Sequence, residues 1–302
     1  MKKLIDFLSK NGIDFEENVD GKRLCSFHVG GEVRVVIKPK NADQLTKLYC
    51  FLNENGIKNT VLGRGSNVLI GDDGFDGAIV LLSEISSIDF SVTDDNWIVA
   101  GAGASMARLA SFAQQNGLSG LEFAHGIPGT VGGGVYMNAG AYGGEISQVL
   151  ESCLIFDKSS GTLLIVDGED CDFSYRHSIF MENKDILILF ATFELTKDDP
   201  EKIKAKMDEY RAKRSASQPL EYPNAGSTFK RPEGHFAGKL IEDAGLKGYT
   251  VGGAQVSEKH AGFVINRGGA TATDVKNLVE HIQKTVKEKF DVSLECEIEF
   301  VE

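Results

Sequence analysis

Residues 126–144 read GIPGTVGGGVYMNAGAYGG, and eight of these nineteen positions are glycine. Flexible linkers are also rich in glycine, but they are rich in serine too and lack the Ile, Val, Tyr and Met side chains found here. Glycine permits positive φ angles and lets the backbone approach another group closely. The stretch therefore predicts a packed loop that holds its backbone against a ligand.

A second glycine turn lies earlier, at Gly63-Arg64-Gly65-Ser66-Asn67-Val68, between two predicted strands. Converging backbone N–H groups of such a turn can form a nest for a diphosphate. An ordinary tight turn has the same local pattern, so both interpretations stay open here. Gly101-Ala102-Gly103 also follows a predicted strand, but Met106 stands where a dinucleotide-binding loop has its third glycine. We therefore do not interpret it as a dinucleotide site.

The composition is that of an acidic globular protein. The 302 residues include 32 Lys+Arg and 44 Asp+Glu, a net charge of −12, and 42% are hydrophobic. These values exclude a disordered chain and argue against general nucleic-acid binding, which needs a basic face. The five cysteines are widely spaced without a C-x-x-C pair. We expect reduced thiols, no metal site, a cytoplasmic location, no signal peptide and no membrane span.

Hydrophobic periodicity predicts an α+β protein with helices at about 41–56, 105–116, 200–217 and from 271 onward. Predicted strands lie at 33–37, 60–62, 68–70, 78–82, 97–100, 151–157, 163–166 and 186–195. Asp199 and Pro200 predict the start of a helix and a domain boundary near residue 200. From Val292 to Phe300, apolar and polar residues alternate. This pattern predicts a last strand whose polar face carries Glu295, Glu297 and Glu299.

Residues 173–178 read FSYRHS and place Arg176 between an aromatic residue and a histidine. An arginine there can bind a carboxylate with two parallel hydrogen bonds. A surface loop is the alternative interpretation.

Residues 219–232 gather Asn224, Ser227, Lys230 and Arg231 around a predicted turn. In an acidic protein, two neighbouring cations can collect an anionic group. Ser227 is not flanked by the G-x-S-x-G motif of an esterase nucleophile. The turn is therefore a candidate anion site rather than a hydrolase centre.

Together these segments resemble the UDP-N-acetylenolpyruvoylglucosamine reductase family over nearly the whole chain. The glycine-rich loop alone indicates only the wider superfamily of flavin-binding proteins. More specific are Tyr175-Arg176-x-Ser178, the motif Asn224-Ala225-Gly226-Ser227-x-Phe229-Lys230 and a late glutamate. The chain resembles the shorter subtype, which lacks a tyrosine-bearing substrate loop in its last domain.

The resemblance implies an FAD-binding domain of the vanillyl-alcohol-oxidase type, residues 1–200, with α+β subdomains at 1–85 and 86–200. A smaller α+β substrate-binding domain would follow at 201–302. It further implies non-covalent FAD, NADPH as co-substrate, a UDP-sugar substrate and a monomer without nucleic-acid or membrane partners. The implied reaction reduces UDP-N-acetylglucosamine enolpyruvate to UDP-N-acetylmuramate for peptidoglycan synthesis.

The resemblance also implies residue roles. Hydride addition to a conjugated acid places negative charge on its carboxylate, and Arg176 matches the family's cation for that charge. Ser227 matches the family's proton donor, and Glu297 matches the carboxylate that helps hold the enol-like intermediate. The implied substrate contacts are Tyr175, Lys230, Arg231 and His260. The implied FAD contacts are Gly63, Arg64, Gly65, Ser66, Asn67, Val68, Gly126, Ile127, Pro128, Gly129, Thr130, Gly132, Gly133, Asn138, Gly140, Gly143 and Arg214.

Two other functions are compatible with parts of the sequence. A related flavin oxidase acting on a sugar or alcohol would share the first 200 residues but would not need Ser227 and Glu297. A non-catalytic nucleotide-binding protein would need only the glycine turns.

Overall fold

The computed structural model describes residues 1–302 and contains seven α-helices and eighteen strands. The helices are α1 (Lys2–Lys10), α2 (Ala42–Glu54), α3 (Met106–Gln115), α4 (Val131–Tyr136), α5 (Pro200–Ser217), α6 (Ala237–Asp243) and α7 (Ala272–Phe290). The strands of the first half are β1 (Asp14–Asp20), β2 (Glu32–Lys38), β3 (Asn59–Leu62), β4 (Val68–Ile70), β5 (Phe75–Leu81), β6 (Ile88–Phe90), β7 (Trp97–Gly101), β8 (Leu118–Ser119), β9 (Gly140–Ala141) and β10 (Gly144–Glu145). Those of the second half are β11 (Leu150–Asp157), β12 (Thr162–Asp167), β13 (Ile186–Glu194), β14 (Thr196–Lys197), β15 (Thr250–Val251), β16 (Ala254–Val256), β17 (Val264–Asn266) and β18 (Glu299–Val301). This mixture confirms the expected α+β class.

Local capping signals place the helices where the sequence predicts them. The Asn41 side chain accepts a hydrogen bond from the Gln44 N–H at the start of α2. The Asp199 carboxylate accepts one from the Glu201 N–H at the start of α5. Each bond satisfies a backbone donor that has no partner within its helix.

By backbone proximity the chain divides into two compact units. Unit 1 comprises Met1–Glu17, Val35–Gly63 and Gly77–Ala212, and unit 2 comprises Asn18–Arg34, Arg64–Asp76 and Lys213–Glu302. This grouping departs from the division at residue 200, because two early segments belong with the C-terminal part. One of them contains β4, which pairs in parallel with β18. The assignment of FAD to residues 1–200 and substrate to 201–302 stays a prediction.

The core of unit 1 is built on a five-stranded sheet in the order β12-β11-β13-β7-β6. Neighbouring strands are antiparallel throughout. The central strand β13 buries most of its side chains, as its long apolar stretch predicts. Because β7 has only antiparallel partners, the Gly101–Gly103 segment does not belong to the parallel β-α-β unit that a Rossmann-type loop requires.

Tyr49, on α2, is fully buried in a second cluster of unit 1. Its hydroxyl has no hydrogen-bond partner, and burial raises its pKa. A buried polar group without a partner costs about 1–3 kcal/mol. We expect Tyr49→Phe to raise the free energy of unfolding by about 1 kcal/mol and Tm by about 2 °C.

Urea unfolding and thermal melts followed by circular dichroism measure this effect. Tyr249→Phe is the matched control, because it removes the same hydroxyl from a tyrosine that is 41% exposed. A destabilised Tyr49→Phe protein would show that the buried hydroxyl has a partner.

Unit 2 contains the antiparallel sheet β15-β16-β17 and the long helix α7. Thr271 caps α7 by accepting a hydrogen bond from the Asp274 N–H, and the Asp274 carboxylate accepts one from the Thr271 N–H. The apolar residues of α7 that follow the predicted 3.6-residue period are all buried. They are Val275, Leu278, Val279, Ile282 and Val286.

The end of the chain differs from the predicted strand at residues 292–300. Only Glu299–Val301 form a strand, preceded by a single bridge between Phe229 and Cys296. Phe300 is 40% exposed and Val301 is buried, so the prediction that Phe300 continues the apolar face is wrong. The parallel pairing with β4 aligns Phe300 with Leu69 and Val301 with Ile70.

All five cysteines are free and three are buried, in agreement with the expectation of reduced thiols. None of the helices is both long and apolar enough to cross a membrane.

Candidate active site

In unit 1, the glycine-rich loop is anchored along its own backbone. The Val131 N–H donates to the Ala104 carbonyl oxygen at 2.8 Å and the Gly132 N–H to that of Ala102 at 2.9 Å. Thr130 caps α4 by accepting a hydrogen bond from the Gly133 N–H. The stretch is therefore a packed loop, as the apolar residues among its glycines predict.

Gly63 lies against the same threonine. A Cβ atom placed at Gly63 would stand 2.5 Å from Thr130 Oγ1, closer than side chains approach. The start of the first glycine turn and the glycine-rich loop therefore meet within unit 1. Only a residue without a side chain fits at position 63 without displacing the cap of α4.

The end of the loop forms a short hairpin of β9 and β10. Tyr142 and Gly143 make its turn with φ angles of 55° and 86°. The Tyr142 ring stacks on that of Tyr210 in α5, with centroids 4.6 Å apart. Two successive positive φ angles are typical of the turns that join tight hairpins.

Arg176 projects from a tight turn in unit 1. Ser174 and His177 exchange two backbone hydrogen bonds across this turn, and Arg176 has a φ of 56°. Its Nη2 donates to the Gly140 carbonyl oxygen at 3.0 Å, and its guanidinium lies 5.0 Å from the centre of the Tyr175 ring. The left-handed backbone, uncommon outside glycine, and the bond to Gly140 together fix where the charge lies.

Ser227, in unit 2, follows a turn organised by Asn224. The Asn224 side chain accepts a hydrogen bond from the Gly226 N–H, and Gly226 has a φ of 77°. Ser227 itself is exposed, whereas Thr228 is 1% exposed. The Thr228 hydroxyl accepts a bond from the Val264 N–H at 3.0 Å. The serine therefore stands at the surface on a backbone anchored by the next residue.

Glu297 lies directly beside this turn. Its N–H donates to the Thr228 carbonyl oxygen at 2.9 Å. Its own carbonyl oxygen accepts a bond from Asn67 Nδ2 at 2.9 Å, across 230 positions of the sequence. The Glu299 N–H in turn donates to the Asn67 carbonyl oxygen. Unit 2 thus brings together part of the first glycine turn, the serine turn and the glutamate segment. Sequence motifs name all three, but nothing in the sequence reveals that Asn67 holds the backbone of the glutamate.

The basic residues after Ser227 have partners of their own. Lys230 forms an ion pair with Glu295 at 2.5 Å. The Arg231 guanidinium lies 4.9 Å from the centre of the Phe236 ring. Arg214, an expected FAD contact that precedes Ser227 in the chain, stands in the last turn of α5. The ion pair with Lys230 belongs to Glu295, which the sequence places on the same polar face as Glu297.

His260 is half-buried and stabilises the turn around it with two hydrogen bonds. Its Nδ1 accepts a hydrogen bond from the Gly262 N–H at 3.1 Å, and its backbone N–H donates to the Ser257 hydroxyl. Burial, together with the charge of Lys247, lowers the pKa of the His260 imidazole below its usual value near 6.5. The neutral ring therefore carries its proton on Nε2.

This lowered pKa predicts a pH-dependent stability. Because the unfolded chain binds the proton more readily, the contribution of His260 is fully present above about pH 6.5 and is lost as pH falls through its folded-state pKa. We expect the free energy of unfolding to fall more between pH 7.5 and 5 in the parent protein than in His260→Gln. Urea unfolding at both pH values measures this difference. Equal decreases of the free energy of unfolding in the two proteins would contradict the prediction.

No group of three or more His, Cys, Asp or Glu side chains is arranged to hold a metal ion.

Comparisons with known proteins extend over both units. Residues 33–167 match the family model described as FAD binding domain. Residues 218–301 match the model of the UDP-N-acetylenolpyruvoylglucosamine reductase C-terminal domain. The chain is 46% identical over 300 residues to the UDP-N-acetylenolpyruvoylglucosamine reductase of Clostridium novyi (strain NT), covering 99% of this chain and 95% of that relative. It is 50% identical over 272 residues to the reductase of that name from Listeria innocua, with 90% of each chain covered.

A solved structure agrees with these matches. The UDP-N-acetylenolpyruvylglucosamine reductase of Thermus caldophilus superposes with a TM-score of 0.81 at 32% identity, over 96% of this chain and 99% of that one. The similarity therefore includes the segments that carry Ser227 and Glu297 as well as the flavin-binding part.

Proposed function

This chain belongs to the UDP-N-acetylenolpyruvoylglucosamine reductase family, and we infer that it reduces UDP-N-acetylglucosamine enolpyruvate to UDP-N-acetylmuramate with FAD and NADPH. The product is a precursor of peptidoglycan. The observation that carries our assignment of residues is the hydrogen bond between Thr228 and Glu297. This backbone bond joins the residue after Ser227, the proposed proton donor, to Glu297, the proposed carboxylate, and so supports assigning both to one site.

The residues of the glycine loops fit FAD. Gly63 and the loop from Gly126 to Gly133 present closely packed backbone rather than charged side chains, and the Gly63–Thr130 contact leaves no room for a side chain. The N–H groups of Val131, Gly132 and Gly133 donate within the protein, so a diphosphate would be held by other N–H groups of these two loops. We propose that residues 63–68 and 126–133, the hairpin glycines Gly140 and Gly143, and Arg214 hold the cofactor. Bound there, FAD would supply hydride transfer from NADPH to the methylene carbon of the substrate.

We propose that Arg176 stabilises the negative charge that reaches the substrate carboxylate as the hydride arrives. A cation fixed before the reaction lowers the barrier more than a mobile one, because no reorganisation is needed at the transition state. The positive φ angle and the hydrogen bond to Gly140 supply that fixation.

The carbon next to the carboxylate then needs a proton. Ser227 is the proposed donor, and its exposure at the surface of its unit makes the hydroxyl available to substrate. Glu297 is the proposed partner of the enol-like intermediate, with its backbone held from both sides by Thr228 and Asn67. Proton transfer depends strongly on donor geometry, which explains why this backbone is tied down.

We further propose Tyr175, Lys230, Arg231 and His260 as contacts of the UDP-sugar. Lys230 and Arg231 supply positive charge suited to a diphosphate. The ion pair with Glu295 keeps Lys230 in a defined position.

We propose that the enzyme acts in the cytoplasm as a monomer. Five free thiols fit a reducing compartment. Sedimentation of the purified protein tests the monomer, and a dimer mass would contradict it.

An anaerobic absorbance titration tests the function. The purified protein should show a flavin spectrum, lose it on addition of NADPH and regain it on addition of UDP-N-acetylglucosamine enolpyruvate. Loss of the flavin spectrum without its recovery would support a flavoprotein but refute the proposed substrate. That result would favour an oxidase of sugars or alcohols. No flavin spectrum after incubation with FAD would refute the whole proposal.

A further inference from the structure

Asn138 lies at the end of α4 and has no exposed surface. Its φ of 42° is left-handed, a conformation that asparagine tolerates better than most residues. Its Nδ2 donates to the Ser174 carbonyl oxygen at 3.0 Å, and its Oδ1 accepts from the Ser147 N–H at 3.0 Å. The amide is therefore directed at the protein backbone, although the sequence motif places Asn138 among the FAD contacts.

The carbonyl that Asn138 binds belongs to the first residue of the Arg176 turn. At the other end of this turn, the Ser178 hydroxyl is fully buried and donates to the Tyr136 carbonyl oxygen at 2.7 Å. Two buried side-chain hydrogen bonds thus tie the turn to residues 136–138 at both ends.

The arginine side chain is held by the same segment. Gly140, whose carbonyl oxygen accepts the bond from Arg176 Nη2, follows Asn138 by two positions. The backbone of the turn and the guanidinium therefore share one support. If the Asn138 bonds were lost, the turn could shift relative to Gly140, and the strained φ of Arg176 would have less to maintain it.

We propose that Asn138 is a positioning residue for Arg176, and that its amide sets where the guanidinium stands when charge develops on the substrate. The proposal rests on the function proposed for Arg176. It assigns to Asn138 no contact with substrate or cofactor. A displacement of about 1 Å at a catalytic group can reduce a rate by about a hundredfold. Because Arg176 is proposed to act only while the substrate is reduced, the loss of rate should fall on that half-reaction.

Asn138→Gly tests the amide without adding backbone strain, because glycine accepts a positive φ. In stopped-flow measurements we expect flavin reduction by NADPH to stay within about twofold of the parent and reoxidation by the enolpyruvyl substrate to slow by about 10- to 100-fold. Ile37→Val is the control for lost stability alone, since Ile37 is fully buried in unit 1 and belongs to neither segment. We expect it to change neither rate.

A double variant distinguishes positioning from general damage. If Asn138 acts through Arg176, Asn138→Gly combined with Arg176→Met should reoxidise no more slowly than Arg176→Met alone. Multiplied losses, or unchanged reoxidation in Asn138→Gly, would overturn the proposal. If Arg176→Met alone reoxidises normally, the role proposed for Arg176 fails first and the positioning role fails with it.

Asn138→Asp provides a second route should the glycine variant not fold. Aspartate has the same shape and keeps the acceptor for the Ser147 N–H, but it replaces the donor to Ser174 with a carboxylate oxygen that repels the Ser174 carbonyl oxygen. The same selective slowing of reoxidation is expected. Equal slowing of both half-reactions would indicate a structural role and overturn the proposal.

Discussion

Ser227→Ala is expected to bind FAD and accept hydride from NADPH at nearly the parental rate, while reducing the enolpyruvyl substrate about 10²–10⁴ times more slowly. The structure explains this selectivity. Ser227 is exposed on a turn whose shape depends on Asn224 and Gly226, so removing one hydroxyl leaves the backbone intact. Only reduction of the enolpyruvyl substrate, the step that needs a proton, should therefore become slower.

Stopped-flow absorbance at the flavin band measures the two half-reactions separately. Ser217→Ala is the matched control, because the Ser217 hydroxyl is bound to the Lys213 carbonyl oxygen within α5 and has no proposed role. We expect it to turn over normally. Normal turnover of Ser227→Ala would show that the proton comes from another group.

Arg176→Met is expected to slow reduction of the substrate by about 10²–10³-fold, with NADPH oxidation nearly unchanged. Methionine carries the same left-handed backbone strain as arginine at this position, so the substitution isolates the guanidinium. The loss corresponds to about 3–4 kcal/mol of transition-state stabilisation.

Single-turnover rates of flavin reoxidation by the substrate compare Arg176→Met with the parent protein. Arg34→Met is the control for a lost surface cation, since Arg34 pairs only with the exposed Asp76 in the structure. Because exposed ion pairs contribute little, its rates should match the parent. A parental reoxidation rate in Arg176→Met would remove this residue from the mechanism.

Much of the local structure follows from the sequence alone. The helix that begins at Pro200, the buried stripe of α7 and the packed glycine-rich loop each depend on residues a few positions apart. Capping bonds, helical periodicity and turn geometry act over such short distances. The family motifs likewise indicate Arg176, Ser227 and Glu297 as candidate catalytic residues from the sequence alone.

The tertiary structure decided which of these pieces meet. The bond from Asn67 to the Glu297 backbone, the bond from Asn138 to Ser174 and the pairing of β18 with β4 join residues far apart in the chain. It also decided that residues 18–34 and 64–76 group with the C-terminal part. Such pairings result from the sum of many weak packing contacts set against the entropy of loop closure. No short stretch of sequence encodes that sum, so the contacts that hold the proposed catalytic groups are seen only in the folded chain.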